Sequence, residues 1–220
     1  MKKVLVLVAA LAVLAASYVS ARPASPPPLR EVKGQVLTSK EMPAVRLKFG
    51  GAFKYVGGHD FILYDVARAE QHFFVDADKQ GRVRRLYWVQ FEGYLPDNTK
   101  SYNYKVTKTV NVGGLDFIAD AYARNIKDNP GRPDSDGSRA RAFLAGKGLR
   151  MGSDDVLSQR LVHLIDREKR NELMIIYLED LRLLGLTAAD VGEGGSASGR
   201  WQEISAGLLE RALKDLQVLR

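Results

Sequence analysis

The chain has 220 residues, of which 45% are hydrophobic and 27% are charged, and this composition supplies enough apolar material for a folded core. It contains no cysteine, which excludes disulfides, thiol catalysis and thiolate metal sites. The formal net charge of +7 at pH 7 is a mild basic excess, which favours loose contact with an anionic envelope surface.

The first 21 residues are predicted to be a signal peptide. Two lysines precede an uncharged apolar run from Val4 to Val19, and small residues up to Ala21 follow, as at a cleavage site. The alternative is an uncleaved membrane anchor, but the run is shorter than the ~20 apolar residues that span a bilayer core. We therefore expect export to the periplasm or outside the cell, no transmembrane segment after cleavage, and no nucleic-acid partner.

Residues 22–44 are predicted to be a proline-rich linker. Five of the eight prolines fall before Val45, and proline fixes φ and lacks a backbone donor. A single globular domain is therefore expected over residues 45–220.

The N-terminal half of this domain has the pattern of β-strands. From Val45 to about Ala123 the hydrophobic period is two. Gly57-Gly58 predicts a hairpin turn, because glycine adopts the positive φ that such turns need. The sequence DADKQGR predicts a second turn, between strands at Phe61–Asp76 and Arg82–Leu95.

Residues 101–112, SYNYKVTKTVNV, alternate most regularly of all and are predicted to form one strand. Gly113-Gly114 then leads into Leu115–Ala123, which fits both the strand and the helix pattern. We favour a strand there, because a glycine pair after a strand usually closes a hairpin.

The C-terminal half changes to helical spacing. Residues 138–147 predict a short helix, and leucines between Leu157 and Leu164 predict a second one. ELMIIYLED, residues 172–180, is too short and too apolar for a surface helix, so it predicts a strand buried on both faces. The apolar stripe from Trp201 to Leu216 predicts a final helix. Strands grouped before helices indicate an α+β fold, a curved antiparallel sheet (an N-terminal meander) with C-terminal helices packed on one face.

The second hairpin carries the candidate site. If Val75 pairs with Val83, one face of the hairpin is apolar core and the other mixes ionisable and aromatic groups. A slip of one residue would scatter that mixed face. Its members are Arg68, Glu70, His72, Trp88, Gln90 and Glu92.

These side chains admit two interpretations. In the functional one, His72 exchanges a proton near neutral pH while Glu70 or Glu92 orients it. Arg68 would hold an anion, and Trp88 would stack on a ring or sugar. In the other, this is the solvated face that antiparallel sheets commonly have.

The leading functional hypothesis is an exported, non-enzymatic protein that binds a small or amphipathic ligand in a cup between the sheet and the C-terminal helix. The alternatives are a cofactor-free hydrolase or lyase that uses His72 with Glu70 or Glu92, and an envelope-associated interaction module. Without histidines at metal-ligand spacing or a nucleotide-binding loop, we expect neither a metal nor a cofactor. The aromatic side chains expected to line the cup are Tyr64, Trp88, Tyr94, Tyr102 and Tyr104.

Overall fold

The structure, a computed structural model, describes residues 29–219. The predicted signal peptide, residues 1–21, lies outside the described residues. The described chain forms antiparallel sheets with helices concentrated toward the C-terminus, which confirms the predicted α+β class.

The strands are β1 (Arg30–Lys33), β2 (Val36–Ser39), β3 (Val45–Phe49), β4 (Lys54–Leu63), β5 (Ala67–Ala77), β6 (Arg82–Tyr94), β7 (Thr109–Val112), β8 (Leu115–Asn125), β9 (Arg150–Met151), β10 (Asp155–Leu164), β11 (Asn171–Asp180) and β12 (Leu216–Leu219). The helices are α1 (Asp136–Gly146), α2 (Ala188–Val191) and α3 (Trp201–Lys214), with 3-10 turns at Leu181–Leu184 and Ser198–Arg200. None of the helices between residues 29 and 219 has the length and apolarity needed to cross a bilayer.

The larger sheet has the strand order β4-β5-β6-β11-β10-β8-β7, and β9 adds a short parallel pairing to β6. Strand β11 occupies the middle of this sheet, between β6 and β10, and is buried along almost its whole length. This placement confirms the strand predicted from its continuous apolar run, because a central strand covered on both faces has no solvent-facing side.

The smaller sheet has the order β1-β2-β3-β12. Two of its strands, β1 and β2, lie inside the segment predicted to be an extended linker, and Leu37 of β2 is fully buried. The linker prediction is therefore wrong for this part of the chain. The prolines end at Pro28 and resume at Pro43, so the residues between them are free to pair as a hairpin.

The larger sheet carries a separate hydrophobic core on each side. On the α3 side, side chains such as Phe74 and Tyr87 pack against α3 and the smaller sheet, and the Tyr87 hydroxyl donates to the Ala212 carbonyl at 2.6 Å. On the α1 side, Phe73 and Trp88 pack against α1. Neighbouring residues of one strand therefore belong to different cores, as the pleat requires.

Strand β10 replaces the second predicted helix. Leucines four apart share a face of a helix, but four is an even number, so they also share a face of a strand. Leu157 and Leu161 lie on the α3 side, while Val156 and Val162 belong to the core on the α1 side. Two β-branched residues and two buried faces favour a strand in the centre of the sheet.

The regular alternation of residues 101–112 produces a strand only at β7. In the preceding part, the Tyr102 hydroxyl donates to Glu92 at 2.8 Å and the Tyr104 hydroxyl donates to Glu172 at 2.7 Å. The alternating tyrosines thus bind the carboxylates of two strands on the α1 side of the sheet. The alternating apolar residues share no single buried face, since Val106 is exposed and Val110 packs on the α3 side, and the single long strand predicted here is wrong.

The predicted turn at Gly57-Gly58 is also wrong, because both glycines lie inside β4. The pairing register of β4 with β5 shifts between Tyr55 and Gly57, and Gly57 has a φ of +117°. The turn that joins the two strands comes later, where Tyr64 and Asp65 adopt positive φ. The predictions of β8, α1 and α3 are confirmed.

Candidate functional site

The pairing of β5 with β6 decides which predicted site residues meet. Val83 pairs with Ala77 rather than with Val75, and a register shift between Asp76 and Ala77 then places Val75 opposite Leu86. Asp76 pairs with Arg85 and also binds the side chain of Arg84, which the shift leaves without a partner in the ladder. This bulge near the turn changes the parity of the pairing along the rest of the hairpin.

The predicted constellation is therefore divided between the two sides of the sheet. Glu70 and His72 lie on the α3 side, opposite Phe91 and Val89. Trp88, Gln90 and Glu92 lie on the α1 side, opposite Phe73, Gln71 and Ala69. The predicted neighbourhood of His72 with Trp88, Gln90 and Glu92 is wrong, because the backbone of the sheet separates them.

His72 and Glu70 belong instead to a chain of four side chains, Arg30, Tyr55, Glu70 and His72, here called the His72 network. His72 Nε2 lies 2.8 Å from Glu70 Oε1, and His72 Nδ1 lies 3.0 Å from the Tyr55 hydroxyl. Arg30 Nη1 donates to Glu70 Oε2 at 3.1 Å. Strands β1, β4 and β5 supply these residues, so the network joins the two sheets.

The network is buried and polar. Only 7% of His72 is exposed, and both of its ring nitrogens are bonded. Burial acts to raise the pKa of Glu70, but the hydrogen bond from His72 and the charge of Arg30 outweigh it and hold this pKa below its usual range. Burial, together with the charge of Glu70, raises the pKa of the Tyr55 phenol.

Arg30 is fixed from several directions. Its Nη2 donates to the carbonyl oxygens of Glu41 and Met42, at 3.1 and 3.2 Å, and its guanidinium lies 4.3 Å from the centroid of the Phe91 ring. Cation–π contact and hydrogen bonds to the chain therefore hold the ion pair with Glu70 in place.

A cavity of about 630 Å³ opens beside the His72 network. Its polar wall is the network itself, with Asp60 and Arg68 toward solvent, where their ion pair is long at 4.0 Å and largely exposed. Such a pair contributes little to stability. The remaining lining includes an apolar wall formed by Leu29, Met42, Phe91, Tyr94, Leu95 and Pro96, in which Phe91 is the cross-strand neighbour of Glu70.

The other predicted site residues form a hydrogen-bonded chain on the α1 side. Gln71 and the Trp88 indole both donate to Gln90 Oε1, at 2.8 and 3.1 Å, and Gln90 donates to Glu92. Tyr102 donates to the same carboxylate, while burial raises the pKa of Glu92. Each donor and acceptor of the two glutamines in this chain has a structural role, since buried amides require partners.

The cup predicted between the sheet and the C-terminal helix is filled with side chains. Leu208 and Ala212 of α3 are fully buried against Tyr87 and Tyr177 in one continuous core. Among the tyrosines expected to line it, Tyr94 reaches the cavity beside His72 and Tyr104 reaches a second cavity on the α1 side.

Sequence reasoning missed Arg30 and Tyr55. Arg30 follows directly after the proline-rich stretch, and nothing in the spacing marks it as a partner of Glu70 forty residues away. Tyr55 has the aromatic character expected of a lining residue, but the incorrect turn at Gly57-Gly58 assigned it to a separate first strand, Ala52–Val56, of a hairpin that does not exist.

Within residues 29–219, no three histidine, aspartate or glutamate side chains converge as ligands for a metal ion. The fold and site together define an α+β protein with a partly open cavity, one wall of which is a buried ionic network. No protein-family model, curated protein or solved structure matches the chain.

Proposed function

We propose that this protein is exported and binds a small amphipathic ligand in the cavity beside His72, without transforming it. The observation that carries the proposal is a cavity of about 630 Å³ whose lining combines a polar wall with an apolar one. Its volume lies in the range of small-molecule sites, roughly 300–1,000 Å³. The predicted signal peptide supports a role in the cell envelope or outside the cell.

The polar wall favours a ligand that donates hydrogen bonds. Glu70 keeps 28% of its side chain exposed and is ionised because its pKa is lowered, so it can accept further hydrogen bonds. Both arginines of the lining already have an acidic partner, Arg30 in Glu70 and Arg68 in Asp60. A hydroxyl or amino head group therefore fits better than a carboxylate, and an alkyl or ring body would contact Phe91 on the apolar wall.

The same geometry favours binding over the hydrolase or lyase alternative. Both ring nitrogens of His72 already contact Tyr55 and Glu70, so His72 could take a proton from a bound substrate only after one of these contacts is broken. The raised pKa of Tyr55 also opposes its use as a phenolate nucleophile. Because these polar side chains are hydrogen-bonded to one another, they present a binding surface of fixed geometry.

Calorimetric titration with octyl glucoside and octylamine tests the proposal, with octanoate as the anionic comparison and glucose as a head group without a tail. We expect saturable binding of at least one of the first two probes. Glu70→Gln and Tyr55→Phe should weaken it by about tenfold, the factor of one hydrogen bond to a charged or buried group.

The matched control is Glu203→Gln, which removes an exposed carboxylate paired with Arg200 on α3. It should leave binding unchanged. Absence of saturable binding by every probe, or equal binding by Glu70→Gln, would overturn the proposal. Hydrolysis of p-nitrophenyl octanoate that His72→Ala abolishes would favour the enzyme instead.

A further inference from the structure

A second cavity, of about 430 Å³, lies on the α1 side of the larger sheet, away from the His72 network. Four arginines reach it, together with the aromatic side chains of Trp88, Tyr104 and Tyr122. Such a density of guanidinium groups in one cavity is costly unless each has an anionic partner.

The positive charges of two of these arginines are compensated. Arg160 forms a two-point ion pair with Asp120, with nitrogen–oxygen distances of 3.0 and 2.6 Å. Arg132 is exposed and lies over the Tyr64 ring at 4.6 Å. The guanidinium of Arg160 is therefore already neutralised, and solvent screens that of Arg132.

The other two, Arg124 and Arg141, have no carboxylate within ion-pair distance among residues 29–219. A Cβ atom built on Gly137 would lie 3.7 Å from Arg141 Nη1 and 3.9 Å from Arg124 Nη2. Both guanidinium groups thus reach the same point beside the first turn of α1. Arg124 Nε is buried without a hydrogen-bond partner, and Arg141 Nη2 reaches only the Pro130 carbonyl.

Among the described residues, the acidic groups that line this cavity, Glu92, Asp136 and Glu172, form no ion pair with Arg124 or Arg141. Burial raises the pKa of Glu172 to about 8, so this side chain is mostly uncharged at pH 7 and accepts from Tyr104. Asp136 accepts from the Gly137 backbone N–H at 2.7 Å. Burial and the neighbouring charge of Arg124 lower the pKa of Arg141, as two adjacent cations without an anion require.

We propose that Arg124 and Arg141 together bind the oxyanion of a small organic ligand, a carboxylate or a phosphate, whose body lies against Trp88 and Tyr122. Planar guanidinium groups offer paired N–H donors that match the oxygens of either anion. One such anion would neutralise the adjacent cations and supply the missing acceptors. This site uses none of the residues of the His72 network, so it stands independently of the function proposed above.

Calorimetric titration with benzoate and with inorganic phosphate, in a low-chloride buffer, tests this proposal. We expect saturable binding of at least one probe, weakened roughly tenfold or more in Arg124→Gln and in Arg141→Gln, the loss expected for a charge-assisted hydrogen bond. Tighter benzoate would assign a carboxylate ligand with a ring, and tighter phosphate would assign a phosphate ligand.

The matched control is Arg139→Gln, a change of the same charge on the same helix. Arg139 pairs with Asp134 at 3.4 Å and does not line the cavity, so binding should change less than twofold. Glu70→Gln should also leave benzoate and phosphate binding unchanged. The proposal is overturned if neither probe saturates, or if Arg139→Gln weakens binding as much as the two cavity variants do.

Discussion

Glu172 makes the stability of this protein depend on pH in an unusual direction. Its side chain is 1% exposed on the α1 side of the larger sheet, and burial raises its pKa from 4.5 to about 8. A group whose folded pKa is raised binds its proton more tightly in the folded state. The stability that it contributes is therefore complete below pH 4.5 and is lost as the pH rises toward 8.

The size of the effect follows from the shift. Each unit of pKa difference corresponds to about 1.4 kcal/mol, so the full change amounts to roughly 5 kcal/mol in the free energy of unfolding, and to about 3 kcal/mol by pH 7. Glu172→Gln removes the ionisation and keeps an oxygen to accept from Tyr104. Relative to the wild type, this variant should be about equally stable at pH 5 and more stable by roughly 5 kcal/mol at pH 9.

Urea unfolding of both proteins at pH 5, 7 and 9 measures this difference. Glu203→Gln, which changes an exposed carboxylate, should show no comparable trend with pH. Glu92→Gln should reduce the trend, because the charge of Glu92 helps to raise the pKa of Glu172. A difference between wild type and Glu172→Gln that stays constant from pH 5 to pH 9 would refute the reasoning.

Two further variants address the packing. Arg211→Met leaves the buried carboxylate of Glu179 without the ion pair that it makes at 2.8 Å, and should lower the free energy of unfolding by about 3 kcal/mol in urea denaturation; a loss below 1 kcal/mol would contradict this. Gly58→Ala would place a Cβ atom against the Gln71 carbonyl oxygen and 2.8 Å from His72 Nδ1, and should cost about 1–3 kcal/mol, seen as a lower melting temperature. Gly51→Ala, which meets no atom within 4 Å, is its control, and equal shifts for the two glycine variants would exclude close packing around Gly58 as the cause of the lower melting temperature.

Two of the correctly predicted elements, β11 and α3, have a local pattern compatible with only one structure, whereas β8 fits both patterns and its prediction rests on the glycine pair before it. β11 is a short continuous apolar run, and α3 has an apolar stripe that fits no strand. Leu157 and Leu161 of β10 satisfy both periods, so the sequence cannot separate helix from strand there. Only the neighbouring strands β8 and β11, which are remote in sequence, decide it.

Local sequence patterns predict the candidate site less completely than they predict the fold. Glu70 and His72 are two apart on one strand, so their contact could be inferred from the pleat alone. Their separation from Trp88 depends on a single bulged residue, Arg84, whose effect extends along the whole hairpin. Arg30 reaches the site because β1 belongs to the smaller sheet, which packs against the larger one. No local spacing in the sequence indicates this contact.

The smaller sheet takes its outer strand β1 from the beginning of the described chain and its other outer strand β12 from residues 216–219. Strand β3 therefore receives its second neighbour only after residues 216–219 have been synthesised. Until that moment a newly made chain, or one shortened by a protease before Leu216, presents an unpaired row of amide and carbonyl groups along β3. An open row of this kind can pair with a strand of another molecule, so loss of residues 216–219 should promote self-association of the protein.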